Sequence, residues 1–225
     1  MATRPTWRER VRASAIEEIL DTARGLLVEH GHTGLTTRAV AREMGISSPA
    51  LYRYFPNHEA LEDVLLVELF EELTGHLRAV AASHPEPYDA LAAASRALRA
   101  WALKHVHEFE FMLVAPLSNE TISDRQREVR REFGGVFLNL VSAAAKPETA
   151  PKPAMSAAAK RAMREFCVHC GVDMDVELAP TALLCWVRLY GSVCMVAMGQ
   201  LETLGPYADA LFEWELDELT RLLGR

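Results

Sequence analysis

Apolar residues recur at intervals of three and four along nearly the whole chain, and no stretch settles into strict alternation, so the pattern predicts helices throughout. The first stripe is Ile16, Ile19, Leu20, Ala23 and Leu27, on a helix from about Ala13 to His30 that Gly31 and Gly34 bring to an end. In the second, Val40, Ala41 and Met44 share one face while Arg38 and Arg42 stand one turn apart on another, giving an apolar inside and a basic outside. Gly45 closes that helix by supplying the left-handed backbone its end requires, with Ile46 as an apolar plug beneath the turn. Ser47 or Ser48 offers a capping hydroxyl, and Pro49 suits a first turn where no amide hydrogen is needed. Leu51 and Phe55 then point inward, which leaves Ser48, Pro49, Tyr52 and Arg53 facing out. Pro56 stops this short helix, and Asn57 is placed to cap the next.

That next helix runs from His58 to about Ala82 on Leu61, Val64, Leu65, Leu69, Leu73, Leu77 and Val80. Pro85 and Pro87 introduce another, with Leu91, Leu98, Trp101 and Ala102 inward, and Pro116 ends a shorter one that holds Phe109, Phe111 and Met112. A helix from about Ser123 to Ala145 is charged at first and apolar from Phe133 to Val141. Lys146 to Ser156 is rich in proline and reads as a disordered loop. Helices over Ala157 to Cys170, Ala179 to Leu201 and Tyr207 to Leu223 complete an all-α chain of nine to ten helices.

Two helices joined by a tight glycine-bearing turn make a helix-turn-helix, whose second helix can enter the major groove of DNA. The run LTTRAVAREMGIS followed by PALYRYFPNHEAL resembles, without a gap, the TetR family of bacterial transcriptional regulators. The resemblance implies a three-helix DNA-binding domain over 1–57 and a helical ligand-binding and dimerisation domain over 58–225. Carried over position by position, it assigns DNA contacts to Thr37, Arg38, Ser47, Ser48, Pro49, Ala50, Tyr52, Tyr54 and His58. Their chemistry suits DNA, because hydroxyls and phenols bond phosphate oxygens and Pro49 or Ala50 can meet a thymine methyl. Many members carry lysine where His58 stands, so this phosphate contact is expected to be weaker here. Further on, Trp186, Tyr190 and Gly191 resemble the WHG signature of one TetR subgroup, with Tyr190 in place of the histidine. In the family the last two helices pair with their symmetry mates. Gly191, Ser192, Ala197 and Gly199 would allow the close approach, and Leu211, Leu216 and Leu219 the burial.

Charge at first argues the other way, because the chain of 225 residues carries a net −7 and phosphate binding needs local positive potential. The excess is unevenly placed. Residues 1 to 60 hold 8 Arg, no Lys and 7 acidic residues, a balance of +1, so the acidity belongs to the remainder. Arg4, Arg8, Arg10 and Arg12 form a basic N-terminal arm that either touches phosphates or stays solvated. With 50% hydrophobic residues the rest has ample material for a core.

Four cysteines, Cys167, Cys170, Cys185 and Cys194, lack the spacing of a secreted disulfide framework, and a reducing cytoplasm fits them best. The apolar run from Thr181 to Leu201 approaches membrane-spanning length, but Arg188 near its middle argues against a span. Cys167, His169 and Cys170 form a metal-like CVHC without a second ligand pair, so no metal and no cofactor is expected, and a redox role for the thiols is left open. No GxSxG, phosphate-cradling loop or His-Glu-x-x-His is present, and no catalysis is expected.

The body is the candidate sensor. Phe70, Trp101, Phe111, Met112, Phe137, Trp186, Tyr190 and Met195 either line a mostly apolar cavity, with Tyr190, His105 or Arg188 as polar handles, or simply fill the core. The expectation is a dimeric repressor of a palindromic double-stranded DNA operator, released by a small-molecule effector. The alternatives are an activator and a helical interaction module that does not bind DNA.

Overall fold

The computed structural model describes residues 6–114, 122–146 and 150–224. Among these the chain forms ten α-helices, two short 3-10 turns and no strand. The helices are α1 (Trp7–His30), α2 (Thr37–Glu43), α3 (Ser48–Tyr52), α4 (His58–Ala82), α5 (Pro87–Lys104), α6 (Val106–Val114), α7 (Asp124–Ala144), α8 (Ala157–Cys170), α9 (Ala179–Ala197) and α10 (Tyr207–Leu222). The all-α expectation therefore holds, and α4 and α8 have the bounds read from periodicity and caps.

Two ends differ from expectation for identifiable reasons. Helix α1 begins at Trp7, well before Ala13, because the Glu9 N–H donates to the Thr6 hydroxyl (3.3 Å) while the Thr6 N–H donates to the Glu9 carboxylate (2.6 Å). This reciprocal capping box satisfies two amides that a helix start would otherwise leave open. Arg8, Arg10 and Arg12 are accordingly helical, and Arg4 lies outside the described residues. Helix α9 ends at Ala197, short of Leu201, because Gly199 turns the backbone at φ +70° and the Gln200 N–H donates to the Met195 carbonyl (2.9 Å). Pro116 and residues 147–149 of the proline-rich stretch lie outside the described residues, and residues 151–156 form no regular element.

The chain divides into two compact units, Met1–Leu69 with His105–Gln126, and Phe70–Lys104 with Arg127–Arg225. In the first, α1 packs against α2 and α6, and α2 against α3. Its core includes Ile19, Leu20, Ala23, Leu26 and Leu27 of α1 with Leu35, Val40, Leu51 and Phe55. Leu26 is buried and Ile16 only partly so, a rotation of the stripe from the one read in the sequence. Each fully buried leucine contributes about 1.5–3 kcal/mol. One charge is buried among them. The Glu108 carboxylate of α6 accepts from Arg24 Nε of α1 (2.8 Å) and meets His105 Nδ1 (2.9 Å), so α6 is fastened to α1 by a paired charge as well as by packing.

In the second unit α9 packs against α5, α8 and α10. Ala94, Leu98 and Ala102 of α5, Ala182, Cys185, Leu189 and Val193 of α9, and Phe212, Leu216 and Leu219 of α10 are buried. Leu216 and Leu219, offered by the family pattern as dimer contacts, thus belong to the core of the protomer. The Tyr88 hydroxyl donates to the Leu216 carbonyl (3.0 Å), and Arg96 donates twice to the Glu213 carboxylate, tying α5 to α10. By length and composition alone α9 could cross a membrane. Here its inward face packs on neighbouring helices and Arg188 pairs with Glu215 of α10 (2.7 Å).

Candidate nucleic-acid interface

The α2–α3 corner is built by its own backbone. The Thr36 hydroxyl caps α2 by accepting from the Ala39 N–H (3.1 Å), and Gly45 adopts φ +66° at its far end. The Gly45 N–H reaches the Arg42 carbonyl (3.1 Å) and the Ile46 N–H the Ala41 carbonyl (3.0 Å), closing the last turn as a glycine C-cap does. Ser47 occupies the capping position of α3 without using its hydroxyl for a capping bond, and Pro49 lies in the first turn. Leu51 (0% exposed) and Phe55 (4%) anchor this short helix inward.

What remains outside is a polar and cationic face. Arg38, Ser47, Pro49 and Tyr52 are exposed, Tyr52 by 47%, while Thr37, Ser48, Ala50 and Tyr54 are half-buried. The Tyr52 hydroxyl stands 3.5 Å from the Thr37 Oγ1, so the two short helices present their polar groups side by side. A surface concavity of about 580 Å³ runs between them and adds Thr36, Arg42 and Ile46 to the residues named from the sequence. The arginine pair one turn apart was the available signal for Arg42. Arg12 of α1 lies over the Tyr54 ring (5.5 Å), which brings the extended N-terminal helix to the same corner.

His58 is placed differently from the other eight. Its Nε2 lies 3.1 Å from Glu62 Oε1, one turn along α4, and the same oxygen meets His32 Nε2 at 2.7 Å. Its Nδ1 is buried with no hydrogen-bond partner among the described residues. A carboxylate in reach on its own helix occupies the imidazole that the family pattern would turn toward phosphate.

Four of the ten residues read as a sensor come together. Phe70, Phe137, Trp186 and Tyr190 join an aromatic cluster centred on Phe133, a residue absent from those ten although its place one turn before Phe137 could have marked it. Phe133 meets the rings of Phe70 (5.6 Å), Trp186 (5.7 Å) and Tyr190 (5.9 Å), and Trp186 stacks on Tyr190 (4.7 Å) and on Phe137 (4.8 Å). Burial pushes the Tyr190 phenol well up from its ordinary range, with Cys194 adding and Arg130 opposing. Trp101 is buried on α5. His105, Phe111 and Met112 belong to the first unit, where Phe111 lies 5.1 Å from the His32 ring. Met195 is 46% exposed, and Arg188 is held by Glu215.

The four cysteines are free thiols, all pushed up by burial, Cys185 to about 11. Among the described residues no group of three His, Cys, Asp or Glu side chains is arranged to hold a metal.

Residues 19–63, from the middle of α1 into the first turns of α4, match bacterial regulatory proteins of the tetR family, and residues 91–219 match the tetracyclin repressor-like C-terminal domain. The chain belongs to the TetR family. It is therefore a DNA-binding transcriptional regulator, and α2–α3 is its helix-turn-helix. Its relatives include the HTH-type transcriptional regulator Rv1816 of Mycobacterium tuberculosis, 27% identical over 203 residues that cover 86% of this chain and 83% of the relative. The class D tetracycline repressor protein of Escherichia coli is 47% identical, but over 53 residues only, 24% of each chain. Among solved structures, that of the regulatory protein SCO4313 superposes with a TM-score of 0.75 at 29% identity, covering 95% of this chain and 98% of the other. The likeness to the tetracycline repressor is thus local and high, while the likeness to SCO4313 extends over both ends.

Proposed function

We propose that this TetR-family regulator is a homodimeric repressor in which residues 1–57 grip a palindromic operator and the remainder senses a small effector and pairs the protomers. The observation that carries the DNA-reading assignment is the division of α3. Leu51 and Phe55 are buried, while Tyr52, Pro49 and Ser47 face outward beside Arg38 of α2. One five-residue helix offers too little contact for selective affinity, so two heads on a two-fold axis are required.

Helices α9 and α10 supply the pairing surface in this reading. Leu184, Val187 and Met195 on α9, with Leu211 and Trp214 on α10, are each at least 40% exposed, at spacings that align them along their helices. Effector binding would favour a pose that holds the two heads at a separation unsuited to successive grooves. Moving that equilibrium from 1% to 99% takes about 5.5 kcal/mol of differential affinity.

The test begins with selection of a preferred duplex from a random pool by the purified protein, followed by fluorescence anisotropy across a salt series. The expected outcome is a palindromic site whose affinity falls steeply with salt. A response flat in salt, or no preferred site, would overturn the reading.

A further inference from the structure

Helix α7 carries Gly134 and Gly135 in its interior, where each glycine costs about 1 kcal/mol relative to alanine. The reason for Gly135 is visible: a Cβ there would sit 2.9 Å from the Cys170 carbonyl oxygen, so a side chain would push the end of α8 off α7. The same glycine has a second effect. Arg131, Gly135 and Asn139 follow one another at one-turn spacing on a single face, and the missing middle side chain leaves a notch in that row. The notch opens into a cavity of about 430 Å³ that Arg78 and Ala81 of α4 border on one side and Cys170 and Gly171 on another.

The lining of this cavity sorts into three kinds. Ala81, Val136 and Leu140 make an aliphatic wall, and no aromatic ring takes part. Arg78 is committed to Glu132, its Nη1 3.1 Å from the carboxylate, so those two charges offset each other. Arg131 is left as the balance: its nearest carboxylate contact, Glu128, is 3.9 Å away, at the limit of an ion pair, and Glu128 is not part of the lining. In a chain of net −7 the cavity therefore has a cationic lining, and the Asn139 amide, two turns further along α7, is a separate polar group in it.

We propose that this cavity binds a small organic anion, a carboxylate carrying an aliphatic portion, with the anion at Arg131 and the aliphatic part against Ala81, Val136 and Leu140. The inference rests on the regulatory reading above and sharpens it, because it moves the effector from the aromatic cluster to the α4–α7–α8 face. The rings around Phe133 pack on one another, with Phe137 fully buried, and none of them lines the cavity.

Decanoate is the probe and 1-decanol its uncharged counterpart, each titrated calorimetrically into the full-length protein at neutral pH. Decanoate should bind at one site per chain, and Arg131→Gln should weaken it about tenfold or more, the loss of one charge-assisted contact, while decanol changes less than twofold. Cys170 gives an independent readout in the unaltered protein, because saturating decanoate should slow its alkylation by iodoacetamide, followed by peptide mass, and leave Cys194 unaffected. Absence of decanoate binding, equal effects of Arg131→Gln on both probes, or undiminished Cys170 labelling at saturation each overturns the site. Operator binding is measured on the same preparation. Protein that grips DNA and ignores decanoate sinks the cavity assignment alone, and protein that binds decanoate but no operator sinks the regulatory reading alone.

Discussion

The DNA-reading corner and the helical body treat their large side chains in opposite ways. At α2–α3 a few apolar groups, among them Val40, Leu51 and Phe55, are buried, while Arg38, Ser47, Pro49 and Tyr52 are turned to solvent. In the second unit Phe133, Phe137, Trp186 and Tyr190 pack ring against ring, while α9 and α10 leave Leu184, Val187 and Trp214 outside. The difference teaches what exposure means in each place. At the corner the exposed groups are hydroxyl, phenol and guanidinium, suited to phosphate and base edges, whereas on the last two helices they are apolar and suited to another protein surface.

This contrast can be broken most forcefully at its smallest core. Leu51→Ala should destabilise the first unit by about 2–5 kcal/mol, since a fully buried leucine leaves a cavity, whereas Leu184→Ala on the exposed face of α9 should stay within about 0.5 kcal/mol for the isolated protomer. Urea unfolding followed by circular dichroism separates the two, and equal effects would erase the distinction. Glu108→Ala comes next, at about 1–3 kcal/mol, because Arg24 keeps partial access to water when its partner is lost. Hydrogen exchange should then rise in α1 and α6 and leave α9 unchanged.

Functional changes follow. Arg38→Ala should weaken operator binding by roughly tenfold, about 1.4 kcal/mol, and Tyr52→Phe by less, with the dimer retained in sedimentation. Val187→Asp should reverse that pattern by splitting the dimer while the circular dichroism of the helices persists. A variant at Arg38 that loses the dimer would collapse the separation of roles.

The smallest effect at neutral pH concerns buried acids of the second unit. Cys185 is pushed up to about 11, and Tyr190 is raised in the same direction, each mainly by burial. A neutral form held in the fold stabilises it fully below the unfolded-state value, near 9 for the thiol, and that stabilisation is lost as pH rises through the folded one. The urea midpoint should accordingly be flat from pH 7 to about 8.5 and decline above it. A midpoint that climbs in that range would contradict the assignment.

Much of the fold was legible because the signals are local. Asn57 caps α4 through the Ala60 N–H (2.8 Å), Gly45 and Gly171 end their helices in left-handed backbone, and the periodicity between such marks gave the spans. The early start of α1 was legible too, in Thr6 and Glu9 three residues apart, a pairing that the stronger apolar stripe overshadows. The rest depends on distant residues. Nothing near Glu108 indicates that Arg24 receives it, and nothing near Trp101 indicates that Phe111, on the next helix, falls in the other unit. At His58 the local neighbour is Glu62, one turn along α4, which a pattern of DNA contacts does not bring into view.

The fastening of α6 to α1 bears on how such a protein is cut and recombined. A DNA-binding head transplanted as residues 1–57 would leave Glu108 behind, so Arg24 would lose the carboxylate it grips and α1 the helix α6 that packs on it. Chimaeras that keep His105–Gln126 with their own head should stay soluble where simple N-terminal swaps precipitate, because the head of this regulator is written in two separate pieces of its sequence.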